Sequence, residues 1–140
     1  MKVIKHLDKT TIIDLLQKSS SLFTPPLLTE VDLFSYSQKL ADNASFVVHS
    51  VDNKIVAYLA YYKNDKINQL YIPLICVSIR MQHKGIGSLL LKTLVDSEPS
   101  YGSIGLEVVK QNINAYNFYL REGFIIQEDR GMRYLMVKSL

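Results

Sequence analysis

Hydrophobic and polar positions along this chain follow two different periods, which predict the helices and strands in the order β-α-α-β-β-β-α-β-α-β-β. Apolar residues at helical spacing predict four amphipathic helices, over residues 9–19, 29–43, 85–95 and 112–121. Apolar runs and alternations predict seven strands, over residues 1–7, 45–51, 54–63, 67–79, 103–109, 124–127 and 132–138. Strands that cluster first and later alternate with helices indicate an α/β fold, in which a mixed sheet has helices packed on its faces.

Several short polar signals refine this outline. The pair Asp52-Asn53 lies between two strand patterns and predicts a hairpin turn. Asp8 or Thr10 is the expected N-cap of the first helix, and Thr29 that of the second. Pro73 lies inside the fourth strand pattern. Since proline has no N–H to donate, it predicts a bulge or a lost pairing there.

The composition fits a single folded domain over residues 1–140. Hydrophobic residues make up 48% and charged residues 21% of the chain, which argues against disorder. Sixteen Lys and Arg against thirteen Asp and Glu give a net charge of +3, spread along the whole chain. This mild charge favours a small anionic ligand and argues against nucleic acid as a partner.

The cysteine and histidine counts exclude two further classes. Cys76 is the only cysteine, so a disulfide framework and a cysteine-rich zinc site are both excluded. The three histidines have no metal-ligand spacing, and no metal is expected. The chain shows no apolar run long enough for a signal peptide or a membrane span. We therefore expect a soluble cytoplasmic protein without a membrane partner.

The loop before the third helix carries the clearest chemical signal. Gly85 and Gly87 lie where the helix begins, and a helix N-terminus offers unsatisfied N–H groups and a partial positive charge. This arrangement suits a pyrophosphate, and Lys84 and Arg80 add positive charge. The alternative is a helix start that needs small residues for packing. A Walker loop and a Rossmann loop are both excluded by spacing, since Leu90 stands where the latter needs its third glycine.

Two motifs of this chain, and their order along it, resemble those of the GNAT superfamily of acetyl-CoA-dependent N-acetyltransferases. The segment 82–87, Gln-His-Lys-Gly-Ile-Gly, matches that family's Arg/Gln-x-x-Gly-x-Gly/Ala signature. The downstream signature is matched by Leu106-Glu107-Val108, Asn112, Ala115, Tyr119 and Gly123-Phe124. The resemblance implies a central twisted sheet of about seven strands, mostly antiparallel, flanked by four helices.

The resemblance also implies a binding site for acetyl-CoA as cosubstrate, without a metal. The fourth strand would separate from the fifth, and its backbone at Cys76, Val77 and Ile79 would contact the pantetheine arm. The pyrophosphate would lie on the loop formed by Gln82, His83, Lys84, Gly85, Ile86, Gly87 and Ser88. Asn112 would contact the pantetheine arm. Gln82 replaces the more frequent arginine, and Lys84, Arg80 or His83 is the candidate that restores the lost charge.

By the same resemblance, Tyr119 fits the general acid that protonates the departing thiolate. The alternative for Tyr119 is a core aromatic residue. Glu107 resembles the general base of the ribosomal-protein N-acetyltransferases, the alternative being a solvated strand carboxylate. A water relayed by Tyr61, Tyr71 or a backbone carbonyl, or else His49, could replace Glu107. Cys76 in its apolar run is expected to be a core residue, and a nucleophilic role is the weaker reading.

The acceptor site in this family is built from the first two helices, their loop and the last hairpin. Here these are residues 21–32 and 127–133. The expected reaction acetylates a primary amine of a small molecule, with an amino sugar as one candidate, or of a peptide or protein N-terminus. The competing hypothesis is an inactive CoA-binding regulatory or interaction module. An amine linked to nucleic acid is a weaker idea because no basic cluster is present. A homodimer is one option for the oligomeric state.

Overall fold

The structure, a computed structural model, describes residues 1–140 and confirms the predicted order of helices and strands. The four helices are α1 (Lys9–Ser19), α2 (Leu33–Asn43), α3 (Ile86–Ser97) and α4 (Ile113–Arg121). The seven strands are β1 (Lys2–Ile4), β2 (Ser45–Val51), β3 (Lys54–Asn64), β4 (Gln69–Val77), β5 (Ser103–Val109), β6 (Ile125–Asp129) and β7 (Arg133–Ser139). None of the helices combines the length and the apolar character that a membrane-spanning helix requires.

All seven strands form one sheet, in the order β1-β2-β3-β4-β5-β7-β6. Every neighbouring pair is antiparallel except β4 and β5, which run parallel. The connection between these two strands contains α3, as a parallel pair requires. The expectation of a mixed, mostly antiparallel sheet with helices on its faces is therefore confirmed.

The sheet separates two hydrophobic cores. On one face, α3 and α4 cover a core that includes Leu70, Leu90 and Leu106. On the other face, α1 and α2 cover a core that includes Leu16, Leu40 and the strand residues around them. Helices α1 and α2 lie over β1 to β4. They leave the corresponding face of β5 uncovered, and that face is free to line a cavity.

The structure decides between the predicted capping residues. Asp8 caps α1, since its Oδ1 accepts the N–H of Thr11 at 2.7 Å. The prediction of Thr29 as the N-cap of the second helix is wrong. Thr29 ends a short 3₁₀ turn and its hydroxyl donates to a carbonyl at Pro26, while Asp32 caps α2. Thr and Asp are both favourable N-cap residues, and only the position of the preceding 3₁₀ turn decides which of the two caps α2.

The predicted irregularity at Pro73 is a bulge. Ala60 of β3 pairs with Leu74, but Tyr62 pairs with Tyr71, so one residue of β3 faces two of β4. The extra residue reverses which face the following side chains occupy. Leu70 therefore belongs to the α3 and α4 core, whereas Leu74, four residues later, belongs to the α1 and α2 core.

The fourth strand ends earlier than predicted. It stops at Val77, and Ile79 begins a short 3₁₀ turn in which its side chain is 74% exposed. The predicted strand boundary at Ile79 is therefore wrong, and the contact of the Ile79 backbone with the pantetheine arm stays a prediction. The apolar run in the sequence continues to Ile79, but the chain has already turned away from β3 after Ser78, whose N–H makes the last cross-strand bond.

Candidate active site

The two parallel strands separate in the middle of the sheet. β4 and β5 pair only over Gln69–Ile72 and Ser103–Leu106. Beyond these residues, each strand keeps its outer neighbour, but the edges that face one another have no strand partner. The opening predicted between the fourth and fifth strands is therefore present, and it lies between two cavities.

The first, which we call the loop cavity, has a volume of about 500 Å³ and lies against the N-terminus of α3. The first intrahelical bond there runs from the N–H of Leu89 to the carbonyl of Gly85, at 3.1 Å. The N–H groups of Ile86, Gly87 and Ser88 have no acceptor in the protein. These unpaired donors and the positive end of the helix favour an anion.

The two glycines at this helix start have different roles. Gly85 has a φ of +77°, and a Cβ at this position would have no heavy atom within 4 Å. It therefore allows the turn and leaves the backbone open to a ligand. Gly87 packs under α4, since its Cβ would lie 3.0 Å from Cζ of Phe118. The ligand interpretation thus suits Gly85, and the packing interpretation suits Gly87.

Most residues predicted to bind a cofactor do line the loop cavity. They are Cys76, Val77, Gln82, His83, Gly85, Ile86, Gly87, Ser88 and Asn112. Ile79 and Lys84 lie outside its wall, and so does Arg80. Gln82 closes the loop, because its Nε2 donates to the carbonyl of Val77 at 2.9 Å. The side chain that replaces the usual arginine is thus occupied within the protein.

The loop cavity also contains ionic residues that the sequence analysis missed. Arg121 and Glu122, at the end of α4, both line it. Ser88 donates its hydroxyl to Oε2 of Glu122 at 3.0 Å, which ties the start of α3 to the end of α4. Of the cationic candidates named from the loop, only His83 reaches the cavity, and Arg121 joins it from the neighbouring helix. No local sequence signal indicates this contact between two helix ends.

The second, which we call the strand cavity, has a volume of about 340 Å³ and lies between the α1–α2 connection and β5. The two cavities share the wall residues Leu22, Ile75, Asn112, Ala115 and Tyr119. Asn112 caps α4, with its Oδ1 accepting the N–H of Ala115 at 3.2 Å. The cavities thus meet at the beginning of α4.

Tyr119 lies in this shared wall and is 7% exposed. Its ring packs edge-on against Phe118 and Phe124, with centroid distances of 5.3 and 5.5 Å. Burial raises the pKa of Tyr119 above its ordinary value. The phenol is therefore neutral at physiological pH and keeps its proton.

Glu107 lines the strand cavity. Its side chain is 28% exposed, and Oε2 accepts from Nη1 of Arg130 at 3.3 Å. Arg130 also donates to Oε2 of Glu128 at 3.3 Å. Across the same cavity, Nη2 of Arg133 lies 3.9 Å from Oε1 of Glu30.

The other candidates for proton transfer differ in where they lie relative to the two cavities. Tyr61 donates its hydroxyl to Oε2 of Glu98 at 2.8 Å and lines neither cavity, so it does not serve this site. His49 pairs with Ala57 in β3 and lines neither cavity. Tyr71 is close enough to Glu107 for that carboxylate to help raise its pKa, although burial is the larger cause.

Cys76 belongs to the core under α1 and α2, and burial raises the pKa of its thiol to about 12. The thiol is therefore protonated at neutral pH, as expected for a core residue. No group of three His, Cys, Asp or Glu side chains is placed to hold a metal ion.

Comparison with known proteins places these features in a family. The sequence model of the acetyltransferase (GNAT) family matches residues 11–124. No curated protein matches the chain. Among solved structures, the chain is similar to the PaiA N-acetyltransferase of Thermoplasma acidophilum in complex with coenzyme A, with a TM-score of 0.77, 17% identity and full coverage of both chains.

Two further structures are similar over nearly their whole length. PH1933 from Pyrococcus horikoshii has a TM-score of 0.72 and 25% identity, with 99% of this chain and 98% of that chain covered. A GNAT family acetyltransferase from Elizabethkingia anophelis with acetyl-CoA bound has a TM-score of 0.69 and 15% identity, with 99% and 97% covered.

Proposed function

Since the chain belongs to the acetyltransferase (GNAT) family, we propose that it transfers the acetyl group of acetyl-CoA to a primary amine. The observation that carries this proposal is the meeting of two cavities at Tyr119. One cavity ends at an anion site suited to a pyrophosphate, and the other contains a carboxylate suited to an ammonium. A thioester held in the first would lie beside an amine held in the second.

The residues around the loop cavity fit acetyl-CoA. The three unpaired N–H groups at the start of α3 would bind the pyrophosphate, with Arg121 adding positive charge and His83 a further hydrogen-bond donor. The unpaired edge of β4 before Val77 would bind the amide groups of the pantetheine arm. When bound, acetyl-CoA supplies an acetyl thioester whose sulfur leaves as a thiolate. Two of the similar structures contain coenzyme A or acetyl-CoA.

Tyr119 is the proposed general acid. Its hydroxyl accepts and donates no hydrogen bond within the protein, yet lies in the wall shared by the two cavities. Because burial raises its pKa, the phenol carries its proton at neutral pH and can donate a hydrogen bond into the shared wall. A thiolate that leaves at the junction of the cavities would receive this hydrogen bond as its negative charge develops, and the proton would follow as the C–S bond breaks.

Glu107 is the proposed general base. Its position in the strand cavity allows it to take a proton from an acceptor ammonium, directly or through water. The bond from Arg130 occupies Oε2 and fixes the orientation of the carboxylate, while Oε1 has no protein donor. Oε1 is thus the atom proposed to receive the proton.

The acceptor would be a small-molecule amine, for which an amino sugar is one candidate, or the N-terminal amine of a peptide. Phe23 and Tyr36 in the wall of the strand cavity could pack against a sugar or another ring. A cytoplasmic location completes the proposal, since Cys76 is a free thiol and the reaction uses acetyl-CoA.

The second candidate function is a CoA-binding regulatory module without catalysis. The ion pair between Glu107 and Arg130 favours it, because it gives this carboxylate a structural partner that requires no catalysis. The loop cavity would be sufficient for this function.

A screen of primary amines with acetyl-CoA, in which the release of free thiol is followed, tests the proposal. We expect release that depends on both protein and amine, with an acetylated amine as product. Tight binding of acetyl-CoA without release on any amine would refute the enzymatic function in favour of the module.

A further inference from the structure

The strand cavity carries an unbalanced set of charges. The ionic side chains in its wall are Glu30, Glu107 and Arg133. Two carboxylates face one guanidinium, so one negative charge has no counterpart within the cavity. The rest of the wall is mainly apolar or aromatic, including Phe23, Pro25, Leu27, Val31, Tyr36 and Leu106.

The imbalance persists when the next layer of partners is included. Arg130 binds Glu107 and also Glu128, which brings the set to three carboxylates and two guanidinium groups. Beyond them, Lys110 and Asp129 form a neutral pair at 2.7 Å. Counted over all the ion pairs that connect to the cavity wall, one carboxylate therefore stays uncompensated.

The geometry shows which carboxylate oxygens are free. At 3.9 Å, the contact between Glu30 and Arg133 lies at the limit of an ion pair, and both side chains are more than 40% exposed. Glu107 uses only Oε2 for Arg130. An ammonium in the cavity could therefore bind Oε1 of Glu107 without displacing any existing partner.

Both guanidinium groups already face carboxylates. Arg130 already holds two carboxylates, and Arg133 faces Glu30. A carboxylate or phosphate on the ligand would enter a cavity with excess negative charge. A second ammonium would lack a partner, since only one carboxylate is uncompensated. A ligand with an added anion and a ligand with a second ammonium would each place an unpaired charge against a largely apolar wall, which costs binding free energy.

We propose, on the premise that the chain is an amine acetyltransferase, that its acceptor is an amine whose ammonium is the only charge, carried on an uncharged body. Amines that also bear a carboxylate or a phosphate are excluded, as are diamines. Glu30 and Arg133 set this selectivity at the mouth of the cavity, and Glu107 binds the ammonium.

Pairs of amines that differ in one charge test the proposal. We would compare phenylalaninamide with phenylalanine, glucosamine with glucosamine 6-phosphate, and 1-pentylamine with 1,5-diaminopentane. Binding to the protein loaded with coenzyme A is measured by calorimetry, and turnover by thiol release. In each pair of which at least one amine binds, the first amine should bind at least about tenfold more tightly than the second. This is the difference expected for one unpaired charge near a protein surface.

Two variants should move the selectivity in opposite directions. Glu30→Gln removes the excess negative charge, so discrimination against phenylalanine should shrink by threefold or more. Arg133→Gln increases the excess negative charge, so discrimination against phenylalanine should grow. The same change should improve the binding of 1,5-diaminopentane. Asp14→Asn and Lys18→Gln make the same changes of net charge in an exposed ion pair of α1 and should leave every ratio unchanged.

The outcomes separate this inference from the proposed function. Binding that follows the charge rule without any thiol release supports the inference and overturns the function. Thiol release that is equal within threefold for both members of each pair supports the function and overturns the inference. The inference also falls if no amine binds, or if the α1 variants shift the ratios as much as the cavity variants do.

Discussion

Replacing Tyr119 by Phe tests the enzymatic function most directly. The change removes one hydroxyl from the wall shared by the two cavities and keeps the ring that packs on Phe118 and Phe124. Because this hydroxyl has no hydrogen-bond partner in the protein, the free energy of unfolding should change by less than about 1 kcal/mol. If Tyr119 is the general acid, turnover should fall by about 10²–10⁴-fold.

That loss of rate corresponds to about 3–5 kcal/mol of activation free energy. The measurement is kcat and KM by thiol release on an accepted amine, together with urea unfolding of both proteins. KM for both substrates should change little, because the interaction matters mainly in the transition state.

Tyr61→Phe is the matched control for this variant. The Tyr61 hydroxyl donates to Glu98 and lines neither cavity, so its loss should cost about 1.5–3 kcal/mol of stability and leave kcat unchanged. The two variants should thus show opposite patterns. A Tyr119→Phe protein whose kcat stays within threefold of the original would refute the acid role and leave Tyr119 as a core residue.

The pH dependence adds an independent check. The neutral phenol is the donor, and burial raises its pKa, so the donor form persists to higher pH than for an ordinary tyrosine. The activity should therefore show no decline from loss of the Tyr119 proton below about pH 10, the ordinary value. A decline at lower pH that Tyr119→Phe abolishes would contradict the assigned burial.

Three further changes are expected to have selective effects. Gly85→Glu should abolish the rise in Tm caused by acetyl-CoA, whereas Gly131→Glu, which introduces the same charge at a glycine with similar φ and equally open surroundings, should keep it. Glu107→Gln should lower turnover by about 10²–10⁴-fold with unchanged acetyl-CoA affinity, while Glu128→Gln, on the same guanidinium, should cost less than tenfold. Because the Cys76 pKa is raised to about 12, its thiol should resist alkylation at pH 8 until the protein is unfolded, and rapid labelling of the native protein would show that the core assignment is wrong.

The sequence predicted the elements well because each has a local signal. The hairpin turn is an example, since Asp52 and Asn53 both adopt the positive φ that this turn requires. The bulge followed from Pro73 in the same way. The N-cap of α2 was missed because Thr29 and Asp32 are both suitable caps, and only the turn of backbone between them decides.

The site was only partly predictable because much of it depends on contacts between distant segments. The loop and its glycines follow from a compact motif, and Glu107 and Tyr119 from a second one. The ion pair between Glu107 and Arg130 depends on the pairing of β5 with β7, and the place of Arg121 depends on how α4 packs against α3. Neither contact leaves a pattern in the local sequence.

The bulge in β4 also limits how the length of this chain can vary. Uniform alternation over the same residues, without the bulge, would turn Leu74 and Cys76 towards α3 and α4 instead of α1 and α2. Half of a strand would then present its side chains to the wrong helices, while no residue type had changed. Surface loops tolerate insertions and deletions, whereas an extra residue in β4 keeps both cores intact only where a bulge accommodates it.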